Sequence, residues 1–285
     1  MNAILFVGLL ASSLHATSDT TLAVRHGDRV VVDRLSGTLV VEAWDRSEVE
    51  IRGSDSGARN LGLSRSGSRV SVAPRDPKGR RLELDAVLRV PRWAVLEIRG
   101  RSLEVQVSGV EGGVTVDNVS GDITTTNTAG SLSLSTVEGE IEVRGARGSV
   151  KAHSRGDDVR LVDVTGDVDV ASGDGDLTLE NITASSLRAE TLDGDVSFGG
   201  PLVDGGTYWI SVHDGDATLT IPEGTNAAFS VSTFDGEFTS DFPVTLQGYK
   251  GGGVFDFTLG NGSARAEVKV FDGEIRLARD RTPGR

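Results

Sequence analysis

The chain has 285 residues, of which 37% are hydrophobic and 5% aromatic, with 37 glycines, no cysteine and a formal net charge of −13. The length allows one large or two ordinary domains, and the missing cysteines exclude disulfides, thiolate metal sites and thiol nucleophiles. The acidic balance disfavours nucleic acid and anionic lipid as partners, and small β-formers punctuated by glycine favour thin, repetitive β-structure.

Residues 1–16 read as a secretory signal. No charged side chain occurs before Asp19, and the apolar run from Ala3 to about Leu14, too short to span a bilayer, is followed by the small residue Ala16. The mature chain is expected to begin near Thr17, in an exported protein that is periplasmic, cell-surface or extracellular. No later segment reads as an integral membrane span. Residues 17–108 hold longer, less regular β patterns, such as DRVVVDRLSGTLVVEAWDRSEVEIRG and RRLELDAVLRVPRWAVLEIRG. They form an N-terminal cap region, because a repeat array leaves an open edge that an atypical element must cover.

Residues 109–202 are periodic. The first apolar residue after each turn runs Val114, Ile123, Leu132, Ile141, Val150, Val159, Val168, Leu177, Leu187, Val196, a step of nine broken once by ten. Two residues on, every position is apolar except Thr125. Apolar residues at alternate positions are strands burying one face. A parallel β-solenoid of about 18 residues per coil and an antiparallel meander both fit. The residue before the apolar position selects the first: Asp122, Glu140, Asp158, Asp176 and Asp195 alternate with Gly113, Ser131, Ser149, Asp167 and Ser186. Stacking by 18 also sets Glu142 beside Arg160 and Lys151 beside Asp169, and the one ten-residue step brings Arg188 next to that aspartate, the favourable cross-strand arrangement. Residues 203–285 continue as degenerate repeats and a tail, with Gly215-Asp216, Gly236-Glu237 and Gly273-Glu274 marking the same spiral with longer loops. Trp44, Trp93 and Trp209 lie outside the array as candidate end plugs, the alternative being exposed sugar-stacking surfaces.

Taken together, VVEAWDRSEVEIRG, LRVPRWAVLEIRG, the repeated Gly-acid-hydrophobic turns and the closing GNGSARAEVKVFDGEIRL resemble the bacterial putative-adhesin family of β-strand-repeat domains, a family of unknown function, over about residues 20–278. The resemblance implies an all-β, adhesin-like β-solenoid in an exported or envelope-associated bacterial protein and carries over no catalytic residues.

Chemistry is sparse. The four histidines, His15, His26, His153 and His213, show no metal-binding spacing, and neither a nucleophile elbow nor a phosphate loop occurs. Asp169, Asp174 and Asp176 are the carboxylates that a polysaccharide lyase or glycosidase on a β-helix would use, but each fits the repeat and no aromatic accompanies them. SGDGD at 172–176 offers Asp174 and Asp176 as oxygen ligands for calcium without a complete binding loop. The sequons at Asn118, Asn181 and Asn261 read as incidental. The column Asp122, Glu140, Asp158, Asp176, Asp195 is expected to be an acidic ladder of turn residues. Neighbours about 4.8 Å apart repel by about 0.9 kcal/mol in water, so hydrogen bonds from backbone N–H groups must offset the cost. The expected function is a non-enzymatic structural or adhesin-like surface at the cell envelope, with a polysaccharide or a protein as partner. A carbohydrate-active enzyme is the alternative, and no cofactor beyond weak calcium is expected.

Overall fold

The computed structural model describes residues 20–52, 61–74, 83–244 and 253–281. The signal expectation, with Met1, His15 and Thr17, lies outside them. The N-terminal part contains β1 (Thr20–Ala23), β2 (Arg29–Trp44), β3 (Glu48–Arg52), β4 (Leu61–Ser66), β5 (Arg69–Pro74), β6 (Glu83–Pro91) and β7 (Val95–Ser108). The array follows with β8 (Val114–Asp117), β9 (Ile123–Thr126), β10 (Leu132–Ser135), β11 (Ile141–Arg144), β12 (Val150–His153), β13 (Val159–Val162), β14 (Val168–Ser172), β15 (Leu177–Glu180), β16 (Ser186–Asp193), β17 (Val196–Gly199), β18 (Thr207–Asp214) and β19 (Ala217–Ile221). Last come β20 (Ala227–Asp235), β21 (Phe238–Ser240), β22 (Gly253–Leu259), β23 (Ala264–Asp272) and β24 (Ile275–Arg279).

The array is a parallel β-solenoid. Ile123, Ile141, Val159, Leu177 and Val196 stack in register on one arm of the coil, and Val114, Leu132, Val150, Val168 and Leu187 on the other. All ten are buried, as are the apolar residues two positions further on, so the two arms press their inward faces together. Lys151 meets Asp169 at 3.5 Å. Glu142 and Arg160 are in register, yet Arg160 bonds Glu180 at 2.8 Å and Glu142 bonds Arg144 instead.

Both ends depart from a simple spiral, and in the same way. At the C-terminal end β23 and β24 lie directly on β18 and β19, while β20 and β21, earlier in sequence, lie outside them. At the N-terminal end β2 lies between β7 and the outer pair β5 and β6. The expectation of one continuing spiral beyond Val196 is therefore corrected: the chain lays its outermost coil first and threads the terminal coil into the gap. Antiparallel β4 and β22 flank the outer coils on one arm, and β1 and β3 flank them at the N-terminal end of the other.

The tryptophans do not plug these ends. All three are half-buried: Trp93 stacks on His26 at 4.1 Å, Trp209 lies under the Arg188 guanidinium at 3.8 Å, and Trp44 meets Arg46 and Arg89. Phenylalanines fill the C-terminal end instead, with Phe229 stacked on Phe257 at 4.9 Å and Phe238 edge-on to Phe255 at 5.0 Å. A phenyl ring carries no polar atom to satisfy, whereas a fully enclosed indole needs an acceptor for its N–H.

Candidate functional site

One corner of the coil, where the chain passes from the first arm to the second, repeats a four-residue turn eight times. It reads Val119-Ser-Gly-Asp122, Val137-Glu-Gly-Glu140, Arg155-Gly-Asp-Asp158, Gly173-Asp-Gly-Asp176, Leu192-Asp-Gly-Asp195, His213-Asp-Gly-Asp216, Phe234-Asp-Gly-Glu237 and Phe271-Asp-Gly-Glu274. The third position is glycine in seven of the eight turns, Asp157 being the exception, because the coils touch there. At Gly139 and Gly194, with φ of +141° and +139°, an added Cβ would stand 2.5 and 2.6 Å from the carbonyl oxygens of Gly121 and Gly175. No L side chain fits that space or favours that backbone.

The fourth position is the acidic ladder. The carboxylates of Asp122, Asp158, Asp176, Asp195 and Asp216 each accept the backbone N–H of the next rung, from Glu140, Asp176, Asp195, Asp216 and Glu274, at 2.7–3.0 Å. Each aspartate thus satisfies an amide in the neighbouring coil while holding its own charge near a donor. Glu140, one methylene longer, accepts no such bond from the Asp158 N–H. Partial burial, followed by the charges of Glu142, Asp122 and Asp158, holds the Glu140 carboxyl above the usual carboxylate range, against the lowering pull of Arg160.

The second position adds a parallel acidic row, Asp174, Asp193, Asp214, Asp272 and Asp235, whose carboxylates are exposed and make no hydrogen bond or ion pair among the described residues. Asp174 and Asp176 thus fall in different rows. Asp169 is elsewhere, on the outer face of β14 against Lys151 and His153, both at 3.5 Å. The structure does not bring Asp169, Asp174 and Asp176 together, and among the described residues no three His, Asp or Glu side chains group as metal ligands.

The first position was not legible as a site. Strand register places Val119, Val137, Arg155, Gly173, Leu192, His213, Phe271 and Phe234 in one line along the molecule. Five of the seven large hydrophobic side chains that are exposed among the described residues belong to this line, and a sixth, Val254, stands one outward position away on β22. Leu192 is 58% exposed and Phe234 73%. His213 stacks on Phe271 at 4.8 Å, and Phe271 on Phe234 at 4.9 Å with the rings 2° from parallel. The last four coils therefore carry a ridge of Leu192 and three stacked rings beside a row of aspartates that pair with no described residue. The sequence signal was an apolar residue three before the acid, in a turn where polar side chains are the rule.

The sequon asparagines have structural roles. Buried Asn118 donates from Nδ2 to the carbonyls of Leu103 and Ser120 at 2.7 and 2.8 Å. Asn181 takes a left-handed conformation at the opposite corner, in the column Gly109, Asn127, Gly145, Asp163, Asn181 with φ between 50° and 71°. Asn261 receives the N–H of Ser263 in a turn.

Among solved structures the chain is similar to a "putative adhesin" from Bacteroides fragilis (10% identity, covering 91% of this chain and 95% of that one, TM-score 0.40). It is also similar to a "putative lipid binding protein" from Parabacteroides distasonis (12%, 91% and 95%, TM-score 0.43) and a "putative cell adhesion protein" from Clostridium sporogenes (9%, 92% and 99%, TM-score 0.24). No curated protein matches it. The family model named Toastrack DUF4097 matches residues 28–278, nearly the whole of the parallel-coil architecture and all eight corner turns, and the chain belongs to that family.

Proposed function

We propose that the protein is a non-enzymatic β-solenoid that presents a binding surface at the bacterial cell envelope. The observation that carries this reading is the corner ridge, which collects most of the exposed large apolar side chains into one line on a rigid, doubly hydrogen-bonded scaffold. Soluble proteins expose contiguous apolar patches mainly where something docks. The carboxylates beside it run in straight rows at the strand spacing along an exposed corner, where the ladder aspartates accept backbone N–H groups of the next coil. The uncharged apolar start of the sequence supports export.

Co-sedimentation of the purified protein with isolated bacterial envelopes tests the reading. Retention is expected, and the double substitution Phe234→Ser with Phe271→Ser is expected to reduce it at least ten-fold. Absence of retention, or retention untouched by the double substitution, overturns it.

A further inference from the structure

We propose that the C-terminal ridge docks a basic amphipathic polypeptide, a partner segment that sets aliphatic or aromatic side chains beside lysines or arginines; this rests on the binding-surface reading above. Two features in fixed register define the chemistry. The ridge itself, Leu192, His213, Phe271 and Phe234, supplies apolar surface in four consecutive coils. On the same four strands, one residue further on, Asp193, Asp214, Asp272 and Asp235 supply four exposed carboxylates with no partner among the described residues. Any ligand covering the ridge lies against that row, and an anionic or strictly apolar ligand would leave the aspartates repelled or desolvated without compensation. Cationic side chains satisfy them, and the wider field agrees: from residue 109 onward the sequence holds 29 Asp and Glu against 13 Lys and Arg.

The ring geometry favours a polypeptide over a saccharide. Phe271 lies between His213 and Phe234, so both faces of the central ring meet other rings and it offers its edge, while Phe234, 73% exposed, ends the stack with a ring on one face only. Sugars stack on open aromatic faces, whereas aliphatic and aromatic side chains pack against edges as readily as faces. The repeat also suits a chain. Rungs about 4.8 Å apart present the same apolar-acidic pair four times, which an extended or helical segment with repeating apolar and basic positions engages several times over.

Three synthetic peptides of about 20 residues test this by fluorescence anisotropy on the full-length protein: one combining leucine with lysine, one serine with lysine, and one leucine with glutamate. The Leu/Lys peptide is expected to bind, with affinity falling as NaCl rises from about 0.05 to 0.5 M. The other two are expected to bind at least ten-fold more weakly. Phe234→Ser with Phe271→Ser should lose most of the binding at unchanged charge. Asp214→Asn with Asp272→Asn should weaken binding and reduce the salt dependence, while Glu111→Gln with Asp167→Asn, away from the ridge, should change neither. Equal binding of the Ser/Lys peptide overturns the proposal in favour of bulk electrostatics. So does a wild-type dimer in sedimentation velocity that the ring substitutions dissolve, since the ridge would then be a self-interface. In the envelope assay, ridge-dependent retention that survives protease treatment of the envelopes overturns the polypeptide as occupant and leaves the binding-surface reading standing.

Discussion

Thr125 and Glu140 each break a rule that their own column keeps, and correcting either should stabilise the fold. Thr125 occupies a column that is otherwise apolar, between Val107 and Val143, and its buried hydroxyl Oγ1 has no hydrogen-bond partner. Thr125→Val keeps the shape and removes an unsatisfied polar group, so it should stabilise by about 1 kcal/mol, read as a raised denaturant midpoint at unchanged slope. Glu140 is the other. Its pKa is raised in the fold, so below the ordinary glutamate range of about 4.3 the carboxyl is protonated in both states and imposes no cost. As pH rises through the ordinary value and then the raised one, the unfolded chain releases its proton first and stability falls. Glu140→Gln should therefore raise the melting temperature near pH 7 and leave it nearly unchanged near pH 4. Glu140→Asp should be more stable still near pH 7, because the shorter side chain can accept the Asp158 N–H as the aspartate rungs do; a melting temperature at or below wild type contradicts that reading.

At the scale of a strand or turn, stability depends on contact between successive coils. Ile141 is fully buried between Ile123 and Val159, and Ile141→Ala should cost about 2–5 kcal/mol, whereas Thr124→Ala on the outer face should change little. Gly194→Ala meets both a steric wall and a disfavoured backbone, and should cost about 1–3 kcal/mol in the same denaturation series. A cost below about 0.5 kcal/mol would mean that the corner relaxes more easily than its 2.6 Å approach suggests.

Across the whole molecule, the threaded ends put both terminal coils in doubly paired positions. β24 is held by β19 and β21, and β2 by β7 on one side and β5 and β6 on the other. This arrangement leaves the open edges, where fraying and strand addition begin, to the outer coils and the flanking strands β1, β3, β4 and β22. Deleting residues 264–285 removes the coil on which β20 and β21 rest. The truncated protein should become sensitive to limited proteolysis beyond β19, while the array from 109 to 202 keeps its β signal in circular dichroism. Protection equal to that of the full chain would show that β20 and β21 can dock directly on β18 and β19.

The 18-residue coil, its register and its buried columns were legible in the sequence, because a solenoid repeats the same local environment and so writes its period directly into the apolar positions from Val114 to Val196. The acidic ladder was legible for the same reason. Its bonding was not: that the aspartates accept the next coil's N–H while Glu140 does not depends on distances between coils. The order of the end coils was equally hidden, since the Gly236-Glu237 and Gly273-Glu274 turns look alike and only pairing shows that the later one lies inside. The ridge was decided entirely by tertiary structure. Leu192, His213, Phe234 and Phe271 are separated in sequence by irregular loops, and strand register alone brings them into one exposed line beside the aspartates.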